Sequence, residues 1–146
     1  MFLGECPIKY YHTMVRVSNL EESLNFYCNG LGLKETRRID RPEHRYTLVF
    51  IAAPENPEAE IELTYNYDAE TYTGGRNFGH LAFIVNNIYE LCENLIQHEV
   101  IINRPPRDGR MAFVKSPDGI SIELLQKGNP LEIKAPWSNM ENVGSW

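Results

Sequence analysis

The sequence predicts an α+β fold built from two βαβββ modules, and three observations carry that expectation. "HTMVRVSNLEESLNFY" from His12 and "HLAFIVNNIYELCENL" from His80 align without gaps, matching His12 with His80, Val17 with Val85, Asn19 with Asn87, Leu20 with Ile88 and Glu22 with Glu90. Each copy opens with side chains of alternating character, a strand period, and then passes into apolar residues three and four apart, a helix period. Each is followed by further strand-like stretches, the last of which contains "IEL", at Ile61–Leu63 and again at Ile122–Leu124.

In the first strand, alternation puts Thr13, Val15 and Val17 on one face and His12, Met14 and Arg16 on the other. Asn19-x-x-Glu22 then resembles a capping box, and Ser18 with Glu21 offers the same chemistry one residue earlier, so the helix begins at either. Leu20, Leu24 and Tyr27 form its apolar stripe, and Gly30 and Gly32 close it. "RYTLVFIAA" and "EIELTYNY" read as strands, with a short, faint strand between them and the helix. In the last strand Glu62, Thr64 and Asn66 oppose Ile61, Leu63, Tyr65 and Tyr67. The second copy has its helix cap at Asn87 and its stripe at Ile88, Leu91, Cys92, Leu95 and Ile96. "RMAFVKS" and "ISIELLQ" complete it, with Ser121, Glu123 and Leu125 on the face opposite Ile120, Ile122 and Leu124. The turn formers "APENPEAE", "PPRDG" and "SPDG" separate these stretches. The expected organisation is a single domain, 1–146, with modules at about 8–68 and 76–127 and a tail at 128–146.

With 146 residues, 42% hydrophobic and 23% charged, the chain has the composition of a globular protein able to bury its own core. No apolar run approaches the roughly 18 residues of a membrane helix, so no membrane partner is expected. The first residues lack the pattern of a secretory leader, which points to the cytoplasm. Cys6, Cys28 and Cys92 are odd in number and scattered, which reads as reduced, structural thiols. A net charge of −6 without a Lys/Arg stripe argues against nucleic acid. An anionic small molecule would have to be held by a few placed arginines, which singles out Arg16.

Each module thus opens with a histidine and closes with a glutamate, each glutamate lying between apolar neighbours in a strand whose other face is core. A carboxylate so placed is costly unless it meets a cation. His12, Glu62, His80 and Glu123 form a two-imidazole, two-carboxylate set that suits Ni, Co, Zn, Mn or Fe. His44, in a loop-like stretch, and His98, near a helix end, stand outside this scheme.

"HTMVRV" with "IELTYNY", then "FGHLAFIV", then "SPDGISIELL", resembles the glyoxalase I group of the vicinal oxygen chelate superfamily, from about His12 to Leu125. The resemblance implies curved mixed sheets around one divalent metal per site, with His12, Glu62, His80 and Glu123 as ligands. It also implies a homodimer whose sites draw His12 and Glu62 from one subunit and His80 and Glu123 from the other. A histidine at the first ligand position in a compact chain is similar to the nickel- and cobalt-activated members, with Zn2+ as the alternative. The activity implied is lactoylglutathione lyase: isomerisation of the methylglyoxal–glutathione hemithioacetal to S-lactoylglutathione by way of an enediolate. Glu123 is the expected base, with Glu62 on the opposite side of the substrate.

Arg16 lies four residues beyond His12 on the same face, about 13 Å along the strand, and Asn66 stands in the same relation to Glu62. The pair is expected to grip the glutamyl end of glutathione, and Arg110 its glycyl carboxylate. The rival readings are another enzyme of the superfamily, a methylmalonyl-CoA epimerase, an extradiol dioxygenase or a thiol transferase, and a metal-free binding protein of the same fold.

Overall fold

The computed structural model describes residues 7–68 and 70–146; Cys6 lies outside them. The first module runs β1 (His12–Arg16), α1 (Leu20–Leu24), β2 (Lys34–Arg41), β3 (Tyr46–Ala52) and β4 (Glu60–Asn66). The second runs β5 (His80–Val85), α2 (Ile88–Gln97), β6 (Ile102–Arg104), β7 (Met111–Lys115) and β8 (Ser121–Gln126). The sheets have equivalent orders, β1-β4-β3-β2 and β5-β8-β7-β6. In each, the first strand pairs in parallel with the last and the other pairings are antiparallel.

Among the strands, the faint one differs most in length between the two modules. β2 is eight residues long and almost wholly exposed, whereas β6 has three residues. Both faces of "KETRRIDR" are wet, so it carries no apolar alternation for a sequence reading to detect.

Asn19, rather than Ser18, caps α1, accepting from the Glu22 amide. Ser18 is committed elsewhere: its hydroxyl donates to Asp118 of the second module at 2.6 Å. Beyond α1 the run Asn25–Gly30 widens to a π-helical turn that buries Phe26, Tyr27 and Gly30. A Cβ on Gly30 would sit 3.0 Å from Leu95 Cδ2, so the missing side chain lets α2 approach. Asn94 of α2 then donates to the carbonyls of Asn29 and Gly30 at the end of that turn. In α2, Asn87 accepts from the amides of Tyr89 and Glu90.

Val15 and Val17 face inward as their alternation requires, and one continuous core joins them to Leu63, Ile88, Cys92, Leu95, Ile122 and Leu124. Burial pushes the Cys92 thiol up to about 12, as expected of a structural cysteine. Among the described residues no helix is long and apolar enough to cross a membrane.

The tail, residues 128–146, is held at several points. Trp137 is buried and stacks on Tyr89, and the Tyr89 hydroxyl donates to the Glu132 carbonyl. Asn103 and Val143 exchange two hydrogen bonds.

Candidate metal centre

The register of the parallel pairs builds two equivalent half-sites. His12 lies opposite Glu60, which sets Glu62 two residues further along opposite Met14. His80 lies opposite Ser121, which sets Glu123 opposite Ala82. Each histidine therefore reaches diagonally to a glutamate on the same face. His12 Nε2 is 2.6 Å from Glu62 Oε2, and His80 Nε2 is 3.6 Å from Glu123 Oε1.

Each half-site has the same third member. Phe50 is the cross-strand neighbour of Glu62 and Phe113 that of Glu123. Their rings stand edge-on to the histidines, at 5.6 Å for His12 with Phe50 and 5.4 Å for His80 with Phe113. The sequence reading missed both, because an aromatic residue in an apolar strand reads as core. Their common relation to the glutamates of the two last strands is the signal that finds them.

Two glutamates share this face of β4, and their surroundings separate them. Glu60 accepts from both Nε and Nη2 of Arg37 and from the Thr36 hydroxyl, and these donors hold its carboxyl below the usual carboxylate range. Its charge is balanced. Among the described residues Glu62 and Glu123 have no Lys or Arg partner; each pairs with its histidine, and Glu62 also accepts from the Thr64 hydroxyl at 3.4 Å. Their side chains are only 13% and 19% exposed. His12 keeps a buried Nδ1 with no hydrogen-bond partner. Partly buried carboxylates without a cationic partner, converging with imidazole nitrogens and no thiolate, fit a borderline divalent metal.

The four residues do not meet at one point within a chain. Among the described residues no three His, Cys, Asp or Glu side chains gather to hold a metal. The structure brings them together two by two, one pair on each sheet.

Arg16 and Asn66 repeat the diagonal of His12 and Glu62 four residues on, because Arg16 lies opposite Thr64. Arg16 is exposed and lines an open cleft of about 1020 Å³ with Met14, Arg76, Phe78, His80, Phe113 and Lys115, among others. Arg110 is exposed just before β7 and does not line this cleft. Arg76, which the sequence reading passed over, does; its signal is a basic residue four positions before His80 in a glycine-rich loop. His44 is exposed and His98 caps α2, its Nδ1 2.8 Å from the Asn94 carbonyl.

Residues 9–124 match the family described as Glyoxalase/Bleomycin resistance protein/Dioxygenase superfamily. Lactoylglutathione lyase of Salmonella typhimurium is 42% identical over 125 residues, 82% of this chain and 93% of that one. Lactoylglutathione lyase of Neisseria meningitidis is 44% identical over 126 residues, 82% of this chain and 91% of that one. Among solved structures, the trypanothione-dependent glyoxalase I of Leishmania major is similar at 42% identity, with a TM-score of 0.74 over 83% of this chain and 88% of that chain. Glyoxalase I from Zea mays is 35% identical with a TM-score of 0.72, over 81% of this chain and 44% of that chain.

Proposed function

The chain belongs to the Glyoxalase/Bleomycin resistance protein/Dioxygenase superfamily, and from that premise we propose that it is a metal-dependent lactoylglutathione lyase acting as a homodimer. The observation that carries the reading is the pair of half-sites, each one histidine and one cation-free glutamate in the same register. A cation that needs four ligands finds two on each module, so joining module one of one subunit to module two of another completes the set. The relatives' activity is the one that such a set supports.

His12, Glu62, His80 and Glu123 would hold the metal, Ni2+ or Co2+ by the histidine at position 12, with Zn2+ as the alternative. A bound divalent cation supplies Lewis-acid stabilisation of charge developing on the substrate's oxygens. Glu123 takes the proton from the carbon bearing sulfur in the methylglyoxal–glutathione hemithioacetal and returns it to the neighbouring carbon, giving S-lactoylglutathione. Glu62 faces it across the substrate. Phe50 and Phe113, both buried, keep water from the two carboxylates.

Arg16 and Asn66 grip the glutamyl end of the thiol. Arg110 is assigned the glycyl carboxylate, and Arg76, which shares the cleft with Arg16, is a second candidate for it. A substrate of the cell's reduced thiol pool, with Cys28 and Cys92 free, supports a cytoplasmic setting. The −6 net charge supports a small molecule rather than nucleic acid as the partner.

The test strips the protein of metal and titrates it with Ni2+, Co2+ and Zn2+ while following thioester absorbance from methylglyoxal and glutathione. Activity restored by Ni2+ or Co2+ and poorly by Zn2+ is expected. No thioester with any metal overturns the assignment, and restoration by Zn2+ alone moves the chain to the zinc class.

A further inference from the structure

The two half-sites match in His, Glu and Phe, yet their phenylalanines are covered differently. In the first module the Arg37 guanidinium lies 3.6 Å from the Phe50 ring centre. Arg104 holds the equivalent position on β6, opposite Phe113, but it is bonded to the Met111 carbonyl and paired with Asp108. Phe113 is covered instead by Trp146 of the tail, whose ring stacks on it at 5.8 Å and 22°. Trp146 is 42% exposed and lines the same cleft as His80 and Arg16.

The path of the tail accounts for this placement. Gly109 takes φ +70°, and a Cβ there would lie 2.2 Å from the Leu131 carbonyl oxygen, so only glycine lets the tail cross the loop. Arg107 donates to Met140 and Asn142, and the two Asn103–Val143 bonds fix the backbone three residues before Trp146. Gly144, at φ +65°, lies between that anchor and Trp146. One indole face is taken by Phe113, and the exposed part of the ring borders the cleft.

We propose that Trp146 is a specificity-determining residue: with Phe113 it forms an aromatic wall beside His80 that favours substrates carrying a flat aromatic substituent. The inference rests on the function proposed above. An aryl group against an indole gains contact that a methyl group is too small to make.

The test uses the full-length, metal-loaded protein and its W146A and W146F variants. Turnover is measured on the glutathione hemithioacetals of methylglyoxal and phenylglyoxal, and calorimetry measures binding of S-benzylglutathione and S-methylglutathione, which do not turn over. W146A is expected to lower kcat/KM for the phenyl substrate and affinity for the benzyl thioether about tenfold, with the methyl partners changed less than about twofold. W146F, which keeps a ring, is expected to stay within about threefold of wild type; if W146A does not fold, W146L replaces it as the ringless variant, with the same losses expected. Equal losses on methyl and aryl ligands, or none on either, overturn the inference. If no hemithioacetal is turned over but the benzyl thioether alone loses affinity, the inference stands and the proposed reaction falls.

Discussion

At the scale of single residues, Glu62 and Glu123 stand apart from Glu60: each pairs with a histidine, and among the described residues no guanidinium answers their charge. Glu123→Gln keeps an oxygen donor but cannot accept the substrate's proton. It is expected to retain most of the metal, measured by elemental analysis, while kcat falls by about 10²- to 10⁴-fold. Near-wild-type turnover would remove Glu123 from the mechanism. Arg16→Ala is expected to raise KM for the hemithioacetal by about 10- to 100-fold, the loss of one charge-assisted hydrogen bond, with kcat little changed. An unchanged KM would dismiss the grip.

The His–Glu pairs are legible in the sequence because the same two residue types recur at corresponding ends of a repeat. Phe50, Phe113 and Arg76 are not. Aromatic residues in strands are as common in a plain core as beside a site, and a loop arginine has no period to mark it.

At the scale of elements, alternation in β1, β4, β5 and β8 and the Asn87 cap of α2 follow directly from local chemistry, whereas for α1 the sequence offers Asn19 and Ser18 equally and the contact of Ser18 with Asp118 decides for Asn19. β2 and the tail escape such a reading for opposite reasons. β2 is wet on both faces and shows no contrast, while the tail's contacts are single anchors, such as Trp137 on Tyr89, without any spacing. The seat of the tail can be tested at Gly109. Gly109→Ala meets both a positive φ and the Leu131 backbone, so a cost of about 2 kcal/mol or more is expected. That corresponds to roughly 4–8 °C in Tm for a chain of this length. Gly32→Ala, at φ +87° with nothing within 4 Å, carries the backbone cost alone. Equal losses in the two variants would show that the crossing at Leu131 contributes nothing.

For the whole molecule, the partition of four ligand-type residues into two pairs has a direct test. His12→Ala and His80→Ala homodimers are each expected to be inactive. In a heterodimer of the two, one site loses both histidines and the other keeps both. Mixing the variants in equal amounts under subunit exchange is expected to restore about one quarter of wild-type activity. No recovery after exchange, verified by mass spectrometry, would place both half-sites of a working centre within one chain.

The strand order carries a final consequence. β1 and β5, which bear the two histidines, each stand at an outer end of their sheet. The two histidines thus sit on edges that still offer backbone donors and acceptors to another strand, with Glu62 and Glu123 one strand in, on β4 and β8. Extending a sheet across that edge and closing a coordination sphere would be the same event. Metal would then act as a clasp between chains, and mass action would apply to catalysis as it does to binding. On dilution below the dimer's dissociation constant, activity per milligram should fall, and added metal should bring it back.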